Sequence, residues 1–216
     1  MIPLQFALRR RMMMTGGGGA PISDLPLSAL INVGTDGGAG TPNYEIADKD
    51  NLVSGGVVLV RKNIHSNSRF GGSTAYPGST LDNRIISLYN NLPEKLRSKI
   101  MDVSFPLYSS GNITRKMFAL TYTMVGFGAN NSTAEGKALQ RYKSNASRIK
   151  TLNGEAGRWF LSSFGNESLV QIVYTDGTSY IARPDDNFGV VPAFVIPSKT
   201  PYDPTPNTDG SYNLVL

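Results

Sequence analysis

The chain has 216 residues, of which 40% are hydrophobic and 17% charged, with 23 glycines and 13 prolines. Low charge and many turn-formers predict short strands joined by loops rather than a helical bundle. Cysteine is absent, which excludes disulfides, iron–sulfur clusters, thiolate metal sites and cysteine nucleophiles. The net charge of +5 is scattered apart from Arg9–Arg11 and the Arg61–Lys62 pair. Nucleic-acid binding calls for a basic stripe interleaved with aromatics, so no nucleic-acid partner is expected. No run of about 18 apolar residues exists, and no membrane insertion is expected.

Residues 1–20 read as a separate arm. Ile2, Leu4, Phe6 and Leu8 alternate, a spacing that suits an added β-strand better than a helix. Three arginines follow, and Gly16–Gly19 acts as a joint. The apolar stretch precedes the basic one, the reverse of a secretory signal. These four residues are expected to anchor the chain on partner subunits. Residues 21–197 read as one domain. Leu27–Val33 is a short apolar run, and the β-branched run Val57–Val60 reads as a buried strand. Ser79 or Thr80 caps a helix with Asp82 in its first turn. Leu81, Ile85, Leu88 and Leu92 line one face of that helix. Pro93 stops it and starts another, with Leu96 and Ile100 facing inward.

Val103–Tyr108 is extended, because Pro106 restricts Phe105. Lys116–Val125 is rich in strand formers. Residues 126–158 are rich in Gly, Asn and Ser, with a short helix expected over Ala134–Tyr142. Trp159–Ser163 is a strand. Leu169–Thr175 and Thr178–Arg183 form a hairpin across Asp176-Gly177, a dipeptide suited to a type I′ turn. Gly189–Ile196 is the last strand of the domain. Residues 198–216 form an extended proline-rich tail whose end, Tyr212–Leu216, suits edge-strand pairing. The fold class expected is α+β.

Chemistry is sparse. His65 is the one histidine, and it sits in a polar Asn-Ile-His-Ser-Asn context where a surface or hydrogen-bonded loop role outweighs that of a catalytic base. Zinc would need more nitrogen or sulfur ligands than exist. Oxygen ligands gather at Asp185, Asp186 and Asn187, but neither a metal nor another cofactor is expected. Adjacent acids on a strand point to opposite faces and do not form a shared-proton pair. Gly126–Lys137 has the wrong glycine spacing for a phosphate loop. The chain is therefore not expected to be an enzyme. What remains is a recognition surface on the hairpin and the turn after it: Tyr174, Tyr180, Arg183, Asp185 and Asn187 combine rigid contact area with adaptable hydrogen bonding.

Several pieces occur in a fixed order: Val103-Ser-Phe-Pro-Leu107, Arg158-Trp-Phe-Leu-Ser-Ser163, Thr175-Asp-Gly-Thr178 and Gly189-Val-Val-Pro-Ala-Phe-Val-Ile196. Over about residues 25–197 the chain resembles a phage- and prophage-associated domain family of unassigned function. In that family the corresponding segments read roughly "RWWLRSP" and "GVRPAF". Leu161-Ser-Ser-Phe164 and Gly189-Val-Val-Pro-Ala193 lack the family's arginine and proline, so no ligand role attached to those is carried over. The resemblance implies a C-type-lectin-like fold, related to that of formylglycine-generating enzymes, with short twisted strands, one or two helices and long loops. That enzyme chemistry depends on cysteines and cannot operate here. The resemblance also implies a bacteriophage virion protein, made in the bacterial cytoplasm. A tail-fibre or tail-tip protein that binds a host-surface glycan or protein is the first expectation. A capsid or tail decoration protein is the second. Either role implies contacts with other virion proteins and a homo-oligomer, with trimers common at a tail tip.

Overall fold

A computed structural model describes residues 19–216, so Ile2, Leu4, Phe6 and Leu8 lie outside the described part. The described residues form an α+β fold, mostly strand. The strands in chain order are β1 (Ala20–Pro21), β2 (Leu30–Asn32), β3 (Asn43–Lys49), β4 (Gly56–Arg61), β5 (Ser66–Arg69), β6 (Val103–Leu107), β7 (Gly111–Arg115), β8 (Met117–Ala119), β9 (Lys150–Leu152), β10 (Glu155–Gly157), β11 (Trp159–Asn166), β12 (Leu169–Val173), β13 (Ser179–Ala182), β14 (Asn187–Val190), β15 (Pro192–Pro197), β16 (Pro201–Tyr202) and β17 (Tyr212–Asn213). The helices are α1 (Thr80–Asn91), α2 (Glu94–Arg97) and α3 (Asn145–Arg148).

One sheet has the order β17-β2-β3-β4-β15-β8 and the other β13-β12-β11-β14-β5. The apolar run Val57–Val60 explains the first. All four side chains are buried, because β4 lies between β3 and β15 with both faces covered. β9 and β10 form a small hairpin, as do β6 and β7. The tail folds back: β16 pairs with β1, and β17 runs parallel to β2.

The helix at 80–91 follows its sequence signals. Ser79 Oγ accepts from the N–H of Asp82 at 3.1 Å, closing the first turn. Leu81, Ile85 and Leu88 are buried on one face, which packs toward β5 and β8. Burial of each such side chain contributes about 1.5–3 kcal/mol. Asp82 does more than favour the helix dipole: it takes a two-pronged ion pair from Arg115 at 3.0 and 2.7 Å, which ties α1 to β7.

Three segments differ from expectation. Gly189–Ile196 is not one strand: it divides at Val191 between β14, in the five-stranded sheet, and β15, in the six-stranded one. Ala134–Tyr142 is not helical. Its backbone donors are spent elsewhere: Gln140 N–H on Asp48 Oδ1 at 3.1 Å and Arg141 N–H on Ala47 O at 3.0 Å. Glu135 is buried, its carboxylate held by Tyr108 N–H, Asn130 Nδ2 and Ser163 Oγ. The short helix falls later, at Asn145–Arg148, where Ser147 Oγ accepts from Ser144 N–H at 3.3 Å and donates to Ser144 O at 2.6 Å. In Lys116–Val125 only Met117–Ala119 pairs as a strand, and Thr121 Oγ1 then accepts from Met124 N–H at 3.1 Å to close a turn.

The sheets and the loops that join them are tied by buried ions. Arg61 is fully buried at the end of β4. Its Nε donates to Asp36 Oδ2 at 2.6 Å, Nη1 to the carbonyls of Asn63 and Ile64, and Nη2 to Ala39 O at 2.9 Å. Lys150 Nζ donates to the Arg61 carbonyl at 2.9 Å and to buried Glu45, which also accepts from Tyr142 Oη at 3.1 Å. Burial alone would raise the carboxyls of Asp36 and Glu45, but Arg61 beside the one and Lys150 beside the other hold both below their ordinary values.

His65 is not at the surface. It is buried just before β5, with Nε2 3.1 Å from Asp36 O and Nδ1 2.9 Å from Ser66 Oγ. Burial pushes its pKa below the usual 6.5, because the charged ring would lose water.

The acid response follows from these signs. A histidine depressed on folding binds its proton more readily in the unfolded chain, so stability falls as pH drops below 6.5 toward the folded value. The depressed carboxylates give a second loss as pH falls below their ordinary 4.5 and 3.8 toward their folded values. Urea midpoints measured against pH are predicted to decline in two stages, and His65→Gln to remove the upper one. A midpoint that stays flat between pH 7 and 5 in the parent protein contradicts this.

Candidate functional site

The exposed end of the five-stranded sheet carries the candidate site. Register sets it up: Trp159 pairs with Val173 on one side and with Gly189 on the other, and Gly189 pairs with Asn67. Arg158 precedes Trp159 and so projects from the opposite face of the sheet. Its guanidinium lies 4.4 Å from the centre of the Tyr174 ring and 5.6 Å from that of Phe188, and Nη2 donates to Tyr174 Oη at 2.7 Å. Tyr180 stands 5.9 Å from Tyr174. Phe188 continues inward to Phe160 at 5.4 Å, and Phe160 to Phe70 at 5.8 Å. An aromatic row with one arginine in it thus runs from the core to Tyr180, which is 62% exposed.

Beside this row lies an open cleft of about 390 Å³. Arg158, Asn187, Thr175 and Asn67 supply hydrogen-bonding groups, while Phe188 and Ile64 supply apolar floor. The β9–β10 hairpin forms one wall through Leu152, Asn153 and Glu155. Ile64 reaches this position because Gly157 and Gly189 leave room. A Cβ on either would stand 2.5 or 2.8 Å from its side chain. The glycine of the Gly189-Val-Val-Pro segment is therefore a packing requirement under the cleft.

The hairpin that carries Tyr174 and Tyr180 is present, but its turn is not type I′. Only Gly177 has a positive φ, at 81°, whereas a type I′ turn needs two such residues. Tyr174 O accepts from Gly177 N–H at 3.0 Å, and Tyr174 N–H donates to Thr178 O at 2.8 Å, the pattern of a three-residue loop with a glycine bulge. Asp176 favours this form because its Oδ1 accepts from both the N–H and the hydroxyl of Thr178. Those two bonds hold its carboxyl below the usual value.

The five candidate ligand residues divide. Tyr174 and Tyr180 share the aromatic row, and Asn187 lines the cleft. Arg183 and Asp185 follow the far end of β13. Arg183 N–H donates to Asp186 Oδ2 at 3.1 Å, and Asp185 lines a separate depression of about 280 Å³ with Ser73, Thr74, Glu167 and Ser168. Arg158 and Phe188 also belong to the site, although neither stands out by residue type in the sequence. Their roles depend on cross-strand register, and the only local signal was an arginine beside the tryptophan of a buried strand.

Among family models, one described as a domain of unknown function, DUF6273, matches residues 54–198. No curated protein and no solved structure matches the chain.

Gly177→Ala tests how the hairpin is held. The new Cβ would stand 2.0 Å from Asn145 O at a backbone angle that favours glycine. The substitution is predicted to cost about 2 kcal/mol or more in urea denaturation. An unchanged midpoint contradicts the docking of this turn on α3.

Proposed function

The chain belongs to the DUF6273 family, whose function is unknown, and from that premise we propose that it is a non-catalytic recognition module with a C-type-lectin-like fold. The proposed setting is a bacteriophage particle, at a tail fibre or tail tip, where the module meets a glycan or protein of the host surface. Residues 2–8 anchor it to other virion subunits in a homo-oligomer.

The observation that carries the recognition role is the pairing of an exposed aromatic row with an open cleft. Arg158 belongs to both. The cleft offers uncharged amides and a hydroxyl above an apolar floor, a combination that fixes the orientation of a ligand with both polar and apolar faces. Tyr180 and Tyr174 add rigid area at low entropic cost. The buried position and hydrogen bonds of His65 give that residue a structural role, in keeping with a binding module. The lectin-like plan is supported by closure of the family region on itself: β4, close to its start, pairs along its length with β15, close to its end. The phage setting rests on the resemblance of the ordered motifs.

The test is binding of purified protein to a glycan array and to a panel of bacterial cell-wall fractions. The parent protein is predicted to bind at least one of them. Arg158→Ala with Asn187→Ala is predicted to weaken that binding at least tenfold, since about 1.4 kcal/mol of lost contact is enough, while leaving the thermal unfolding midpoint within a degree or two. Full binding by the double variant, or turnover of a bound glycan, contradicts the reading.

A further inference from the structure

We propose that the free edge of β13 is the acceptor for residues 2–8 of a second copy of this chain, which pair there as an added parallel strand. The inference rests on the anchoring part of the reading above; it leaves the residues that line the cleft free and assigns Tyr180, at the outer end of the aromatic row, to the contact between copies.

β13 is the last strand of its sheet. Its register shows which backbone groups face outward. Tyr174 and Thr178 form a hydrogen-bonded pair, and such pairs alternate along an antiparallel ladder. Ile172–Tyr180 and Val170–Ala182 are then bonded pairs, and the N–H and C=O groups of Ser179 and Ile181 point away from β12. Among the described residues no strand lies against that side. The other sheet edges differ. β5 is the polar segment Ser66-Asn-Ser-Arg69, β8 is buried, and β17 is engaged by Asp203 N–H and by the Tyr202–Leu214 bridge. β13 is the edge that exposes large apolar side chains, Tyr180 at 62% and Ile181 at 37%. Edges of this kind are normally blunted by charge, proline or a cover.

The occupant follows from pattern and charge. Ile2, Leu4, Phe6 and Leu8 alternate, so one face of a strand formed by them is wholly apolar. With Phe6 beside Tyr180, that face continues the aromatic row of Tyr174 and Tyr180. Arg9–Arg11 come next. In a parallel alignment they fall beyond Ala182, where Glu167 and Asp185 line the depression of about 280 Å³ and Asp186 closes the turn. The cations nearby are Arg183 in that turn and Arg69 opposite Asn187, so the three carboxylates of Glu167, Asp185 and Asp186 outnumber them where the three arginines arrive. A strand donated from one copy to the next gives a reciprocal pair, a ring where the rotation closes, or a filament where it does not.

The absence of cysteine makes the test direct. Full-length protein with Phe6→Cys is mixed with full-length protein carrying Tyr180→Cys, and mild oxidation is followed by non-reducing electrophoresis. The expected result is a disulfide-linked heterodimer, at least fivefold more abundant than with Gln5→Cys, whose side chain falls on the other face. The parent chain is expected to exceed monomer mass in light scattering, and removal of residues 1–14 to return it to monomer without loss of cleft-ligand binding. Glu167→Lys with Asp185→Lys, which introduces no cysteine, is expected to weaken association at least tenfold. A monomeric parent chain, equal crosslinking by Phe6→Cys and Gln5→Cys, crosslinking confined to single chains that carry both cysteines, or charge reversal without effect would each overturn the proposal.

Discussion

The buried guanidinium of Arg61 is the point on which the rest of the molecule turns. A charge taken out of water is costly unless its donors are all placed. Here they are placed on Asp36 and on the carbonyls of residues 39, 63 and 64. Those acceptors belong to two loops that have no regular ladder of their own. The charge therefore dictates where the loops run, and with them where His65 and the start of β5 fall. The Arg61 carbonyl meanwhile accepts from Lys150, which carries the effect to β9. Replacing one partner of such a pair typically costs about 3–5 kcal/mol, because the other is left buried and uncompensated.

This arrangement links frame to site. β9 begins at Lys150, and the hairpin it starts is a wall of the cleft. Ile64 N–H donates to Thr151 O at 2.9 Å, a second tie between the Arg61 loop and the same hairpin. On the other side, Trp159 donates to Arg148 O at 3.1 Å, and Gly177 packs against Asn145, so α3 supports both β11 and the turn of the β12–β13 hairpin. The cleft is thus bounded by elements whose positions are set by buried polar contacts, which favours a preformed rather than an adaptive shape.

Some of this was legible in the chain itself. Val57–Val60 and Ser79–Leu92 carry their structure locally, through apolar runs, a capping serine and helical spacing, and both form as read. The hairpin around Asp176-Gly177 was legible as a hairpin but not in its turn type, because the deciding bonds from Thr178 to Asp176 compete with the glycine preference. Ala134–Tyr142 misled because its donors are taken by Ala47 and Asp48, about ninety residues earlier in the chain. His65 reads as a surface or a hydrogen-bonded loop residue, and the second alternative holds: it is buried, with one ring nitrogen on Asp36 O and the other on Ser66 Oγ. Of the site, the tyrosines and Asn187 were visible by type. The joining residue, Arg158, was not, since only strand register brings it to Tyr174 and Phe188.

Amide hydrogen exchange on Lys150→Met tests most directly whether buried charge positions the cleft wall. If it does, protection falls over residues 150–158 and in the 62–65 loop, while the β12–β13 hairpin keeps its parent rates. Protection unchanged at residues 150–158, or lost evenly over the whole domain, would contradict that link between frame and site.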